Sequence, residues 1–137
     1  MRGVPNVKKA FAKVWETDDL LTSFDGVSLW RPWNIDPSWK TQSGQAWFHI
    51  DQHPISKPGK QCIQGLINLL PTSKEIGGNV VIPKSHNFFK DIPEEYKERV
   101  ERLPLDIDHF RFPHDDPKLS SEPAVMAHME PGDMLLW

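Results

Sequence analysis

Trp47-Phe48-His49-Ile50-Asp51-Gln52-His53-Pro54 reads as the end of a strand over 45–51 that Pro54 closes. On an extended chain alternate side chains share a face, so His49 and Asp51 project the same way with Cα atoms about 6.6 Å apart. Both can reach one ion between them. His53 has the same parity, but on an extended chain it lies about 13 Å from His49. Donors that each sit about 2.1 Å from one metal must approach one another within about 4.2 Å. His53 is therefore excluded unless the chain folds back at Gln52, and a third donor has to come from another strand.

An imidazole and a carboxylate without a thiolate suit Fe(II), Mn(II) or catalytic Zn(II) better than a structural zinc site. Adding a second His would complete the two-histidine, one-carboxylate set of non-haem iron oxygenases, which leaves positions open for co-substrate and O2.

The flanking sequence supplies further β segments. Residues 27–31 read as a short strand closed by Pro32, followed by a Trp-rich loop over 32–44. Residues 61–70 form the longest β pattern, with Ile63, Ile67 and Leu69 on one face and Cys62, Gln64, Leu66 and Asn68 on the other. Apolar groups on both faces predict a buried strand in a two-layer structure. A turn over 73–78 leads to a strand over 79–82, ended by Pro83. Residues 124–129 and 134–137 flank Pro131-Gly132-Asp133 and read as a β-hairpin.

Two helices are expected. Val7, Ala10, Phe11 and Val14 share one helical face, with Lys8, Lys9 and Lys13 opposite, so 6–16 is an amphipathic helix. Residues 91–103 form the second, with Asp91 and Glu94 at capping-box spacing, Arg99 and Arg102 near its end, and Pro104 stopping it. Its charged residues over 90–102 are a solvated face. The stretch 104–123 carries four Pro and reads as an irregular excursion packed over something.

At 137 residues the chain is long enough for one domain, 1–137, and too short for two ordinary ones. The lone Cys62 cannot form an internal disulfide. Thirteen Pro is about twice ordinary usage, which fits a loop-rich β domain better than a helical bundle. A net charge of −3 creates no field that would gather nucleic acid or an anionic membrane, and it agrees with a small-molecule partner. No stretch approaches the roughly 20 apolar residues of a membrane span, and the N-terminus lacks a signal-peptide core, so a cytoplasmic protein is expected. The chain stops in the apolar run Met134-Leu135-Leu136-Trp137. A carboxylate placed there would be costly beside a core, so a piece of a longer domain is expected.

Three segments in fixed order, residues 47–54, then 61–69, then Gly77-Gly78-Asn79-Val80-Val81-Ile82-Pro83-Lys84-Ser85-His86, resemble the phytanoyl-CoA dioxygenase family. The likeness runs from about Phe24 to Trp137. It implies a mainly β double-stranded β-helix, or jelly roll of cupin type, with flanking helices. It also implies an Fe(II)-dependent dioxygenase that uses 2-oxoglutarate and O2 to hydroxylate an aliphatic small molecule. By that resemblance His49 and Asp51 are metal ligands and catalytic residues. Asn68 and Gln64 lie where the family contacts its co-substrate. The family's distal His ligand and its 2-oxoglutarate-pairing Arg follow a segment similar to residues 131–137, and neither is in this sequence, so the chain alone is expected to be inactive.

Each remaining candidate has a plainer reading. Asn68 and Gln64 could equally bond a neighbouring strand. Arg31 could meet an anionic co-substrate or stack on a Trp. Trp33, Trp39 and Trp47 wall either a pocket or a core. His86 reads as structural, His109 and His114 as exposed, and His128 as a ligand only if the hairpin register differs from the family's. Cys62, on a buried strand, receives no catalytic role. The rival function is a non-catalytic jelly-roll module binding a sugar or small hydrophobe; metal-dependent hydrolysis is a third reading that lacks a nominated general base.

Overall fold

The computed structural model describes residues 2–23, 26–39, 48–113, 116–121 and 123–137. Trp47, His114 and the first part of the strand expected over 45–51 lie outside them. Helix α1, Pro5–Trp15, opens on a proline at its first position, whose missing N–H costs nothing there. It ends at Glu16 in the left-handed region (φ 56°), with the Glu16 N–H donating to the Ala12 carbonyl. Its lysines face solvent, and Phe11 docks on Gly65, where an added Cβ would stand 2.7 Å from the Phe11 ring.

Among the described residues six short strands follow: β1 His49–Ile50, β2 Gly65–Ile67, β3 Val80–Val81, β4 Phe110–Arg111, β5 Val125–Met126 and β6 Met134–Leu136. They form three antiparallel pairs, β1 with β4, β2 with β6 and β3 with β5. Backbone bonds extend the second pair, because Gln64 and Trp137 exchange N–H and carbonyl at 2.9 and 3.1 Å. Asn68 likewise donates to the Asp133 carbonyl and accepts from the Gly132 N–H. The pairs are the framework, yet helical segments cover more of the described residues than strands do.

Several expectations require correction. Residues 27–31 form no strand; Val27 and Leu29 are 82% and 86% exposed, because β-branched and apolar residues without a partner strand have nothing to pair with. Residues 124–137 do not close on themselves as a hairpin. Instead β5 and β6 leave the Gly132 turn (φ 95°) for different partners in different sheets. Cys62, expected on a buried strand, is exposed, since pairing reaches back only to Gln64. Leu69 is exposed as well.

Thr72 joins the segment before β3 to the segment after β5. Its hydroxyl donates to the Ala127 carbonyl at 3.0 Å and accepts from the Met129 N–H at 2.9 Å. Thr72→Val keeps the shape but strands the buried Met129 N–H, so a loss of about 1–3 kcal/mol is expected in urea unfolding. An unchanged midpoint would show that water satisfies that group.

The helix expected over 91–103 is broken. A 3-10 turn, Ser85–Asp91, runs into α2, Ile92–Glu95, and α3, Lys97–Glu101, with Tyr96 between them out of helical geometry. Asp91 makes no side-chain cap. Tyr96 instead sets its ring edge-on to Phe110 and Phe112, with centroids 5.6 and 5.4 Å away. Glu98 and Arg99 are solvated as expected, while Ile92 and Val100 are buried.

The excursion over 104–123 contains β4 and α4, Pro117–Ser121, which Asp116 caps by accepting from the Lys118 and Leu119 N–H groups. It supplies half the core: Phe110, Phe112 and Leu119 pack with Ile82, Ile92 and Val100. Phe48 and Ile50 of the β1 segment close this cluster from the other side. No helix among the described residues is long and apolar enough to cross a membrane.

Candidate metal centre

Strand alternation builds the site. Phe48 and Ile50 are drawn into the core, which turns His49 and Asp51 to the opposite face. The β1–β4 register, His49 opposite Arg111 and Ile50 opposite Phe110, fixes that orientation. His49 Nε2 stands 3.5 Å from Asp51 Oδ2. Two donors at adjacent octahedral positions around one ion are about 3.0 Å apart, and no two can exceed about 4.2 Å. The pair therefore fits one small divalent ion with little adjustment. Among the described residues no third His, Cys, Asp or Glu joins them in a metal-binding group.

His53 is fully buried, and its Nδ1 accepts the N–H groups of Ile55 and Ser56 at 3.1 and 3.0 Å. A nitrogen that accepts carries no proton, so the neutral ring holds its proton on Nε2. The chain does turn after Gln52, yet neither ring nitrogen has a lone pair to give, and Nε2 finds no hydrogen-bond partner among the described residues. His53 fixes the turn and is not a donor to an ion.

The other candidates separate. Gln64 reaches the centre, its Nε2 donating to Asp51 Oδ2 at 2.7 Å. Asn68 is buried and donates to the Leu70 carbonyl at 3.2 Å, beside the Gly132 turn it accepts from. The Arg31 guanidinium lies 5.0 Å over the Trp39 ring, and the Trp33 indole donates to the Lys74 carbonyl. His86, His109 and His128 are exposed.

A pocket of about 440 Å³ opens beside Asp51, within the range of small-molecule sites. Polar residue types line it, together with the apolar stems of their side chains: Gln52, Lys57, Gln61, Gln64, Asp108 and His109 contribute, with Cys62 and Ser23. Lys57 Nζ and Asp108 Oδ1 pair at 2.6 Å across it. The Gln52 amide ties down the 57–61 loop through the carbonyls of Lys57 and Gly59 and the Gln61 N–H. Cys62 is exposed as a residue, but partial enclosure of its thiol, and then the Asp51 charge, push its pKa up. It remains a thiol at neutral pH. Sequence reading missed Lys57 and Asp108, because their partnership spans 51 positions with no local pattern to announce it.

Comparison with known proteins follows the same residues. The family described as phytanoyl-CoA dioxygenase matches residues 27–137. The protein named "Ava biosynthesis cluster protein O" from Aspergillus versicolor is 33% identical over 142 residues, covering 99% of this chain and 44% of that protein. A Dictyostelium discoideum protein whose name carries the phytanoyl-CoA dioxygenase label is 27% identical over 118 residues, covering 64% of this chain and 33% of its own length. The chain thus spans less than half the length of the curated relatives it matches. No solved structure matches it significantly.

Proposed function

The chain belongs to the phytanoyl-CoA dioxygenase family, and from this membership we propose that it contributes two protein donors, His49 and Asp51, to an Fe(II)- and 2-oxoglutarate-dependent dioxygenase acting on an aliphatic carbon of a small molecule. The observation that carries the reading is the 3.5 Å approach of His49 Nε2 to Asp51 Oδ2 on one face of β1, inside the matched region. Iron bound there would couple the oxidative decarboxylation of 2-oxoglutarate to hydroxylation of a C–H bond.

The chain's own residues have defined tasks. His49 supplies a nitrogen and Asp51 a charged oxygen from a strand whose far face is locked into the core. The pocket beside them offers hydrogen-bonding groups to a bound small molecule. The name of the Aspergillus relative places that protein in a biosynthesis cluster, which accords with a small-molecule substrate. In this reading the three strand pairs are parts of a double-stranded β-helix, and the third donor is a histidine outside the described residues.

The test is succinate formation by a version extended to the length of the curated relatives. Succinate that depends on Fe(II), 2-oxoglutarate and O2, and that chelator abolishes, is expected; succinate that chelator leaves untouched would overturn the reading. With two donors among its described residues, the 137-residue chain alone is expected to hold iron weakly and form no succinate. Low-micromolar iron binding with turnover would place the third donor within the chain, with His128 the first to substitute.

A further inference from the structure

Gln64 lies 13 positions from Asp51 in sequence and on a different strand pair, yet its side-chain amide donates to Asp51 Oδ2 at 2.7 Å. That oxygen is the one facing His49 Nε2. Resting on the metal-centre reading above, we propose that Gln64 is a positioning residue, which holds the Asp51 carboxylate in the orientation that lets it share an ion with His49, and that it does not serve as a co-substrate contact.

Three features support the assignment. The Gln64 backbone is pinned on both sides, donating to and accepting from Trp137 at the end of the β2–β6 ladder, so its side chain leaves from a fixed point. Asp51, by contrast, sits one residue past the end of β1, where the ladder no longer holds it. A carboxylate on such a junction has a free rotor, and a single strong hydrogen bond removes that freedom. The chemistry of the donor also matters. A primary amide binds one lone pair of Oδ2 while leaving the oxygen's other lone pair and the whole of Oδ1, and it brings no positive charge to oppose a cation. Lysine or arginine in its place would neutralise the ligand. Groups that orient a metal-binding carboxylate in this way are worth about 10–100-fold in metal affinity.

The experiment uses the 137-residue chain with Mn(II) as probe and no 2-oxoglutarate, followed by paramagnetic broadening of the His49 and Asp51 NMR signals, which registers binding even in the millimolar range. In the wild type, broadening centred on these two residues is expected. In Gln64→Met, which keeps the side chain's length and lacks its donor, the midpoint is expected to move about 10–100-fold higher, with a melting temperature close to the wild type's. In the metal-free protein the Gln64 side-chain amide protons should exchange slowly, and Asp51→Ala should release them. Superimposed Mn(II) midpoints for wild type and Gln64→Met, or Gln64 amide protons that exchange as in free glutamine, would overturn this inference alone. Absence of broadening at His49 in the wild type would overturn it together with the metal-centre reading.

Discussion

Replacing His49 with alanine is expected to abolish succinate formation in a version extended to relatives' length, by more than the about 100-fold that marks the upper end of outer-shell effects. In the proposed centre the imidazole is one of two donors, and its loss leaves the Asp51 carboxylate with no imidazole beside it. Folding should survive the change. His49 lies on the face of β1 turned away from the core, and the apolar anchors Phe48 and Ile50 are untouched. Far-UV circular dichroism and a melting curve close to the wild type's would confirm that the loss is chemical. Asp51→Asn should behave alike, because a neutral amide is a far weaker ligand for a hard cation than a carboxylate. Turnover by His49→Ala at the wild-type rate would remove the assignment of this centre.

The largest structural effect is expected at Phe110, where truncation to alanine should cost about 3–5 kcal/mol. Its residue is 2% exposed, and its ring meets Phe112 edge-on at 5.1 Å and Tyr96 at 5.6 Å. Removing it opens a cavity in the middle of the buried cluster. Against a total stability of about 5–15 kcal/mol for an ordinary domain, that is about a fifth or more of what holds the chain folded. Phe110 also stands opposite Ile50 in the β1–β4 register, so the loss should loosen the strand that presents His49 and weaken Mn(II) binding in parallel. Urea unfolding with an unchanged slope measures the first effect. Phe110→Leu should lose markedly less, and an alanine variant within about 1 kcal/mol of wild type would show that the aromatic cluster is not the core.

Periodicity carried the local features. The helix at α1 follows from apolar residues three and four apart, and the common face of His49 and Asp51 from the two-residue repeat of a strand. The residue types at 49 and 51 suit Fe(II), Mn(II) or catalytic Zn(II) better than a structural zinc site. The break of the second helix could not be read that way, because Tyr96 leaves helical geometry to meet Phe110 and Phe112, which lie beyond its helix. The excursion over 104–123 looked irregular for a related reason: its two-residue strand is too short to show a repeat, and it becomes a strand only by pairing with β1.

Local pattern thus set the common face of His49 and Asp51 and the donor types they present, since side-chain alternation and residue chemistry act within a few residues. Tertiary structure alone decided that β5 and β6 part at Gly132 to join β3 and β2, and that Gln64 donates to Asp51. Each of these is a hydrogen bond whose partner is chosen by where the chain returns in space. A backbone or amide donor looks the same in sequence whichever acceptor it finds.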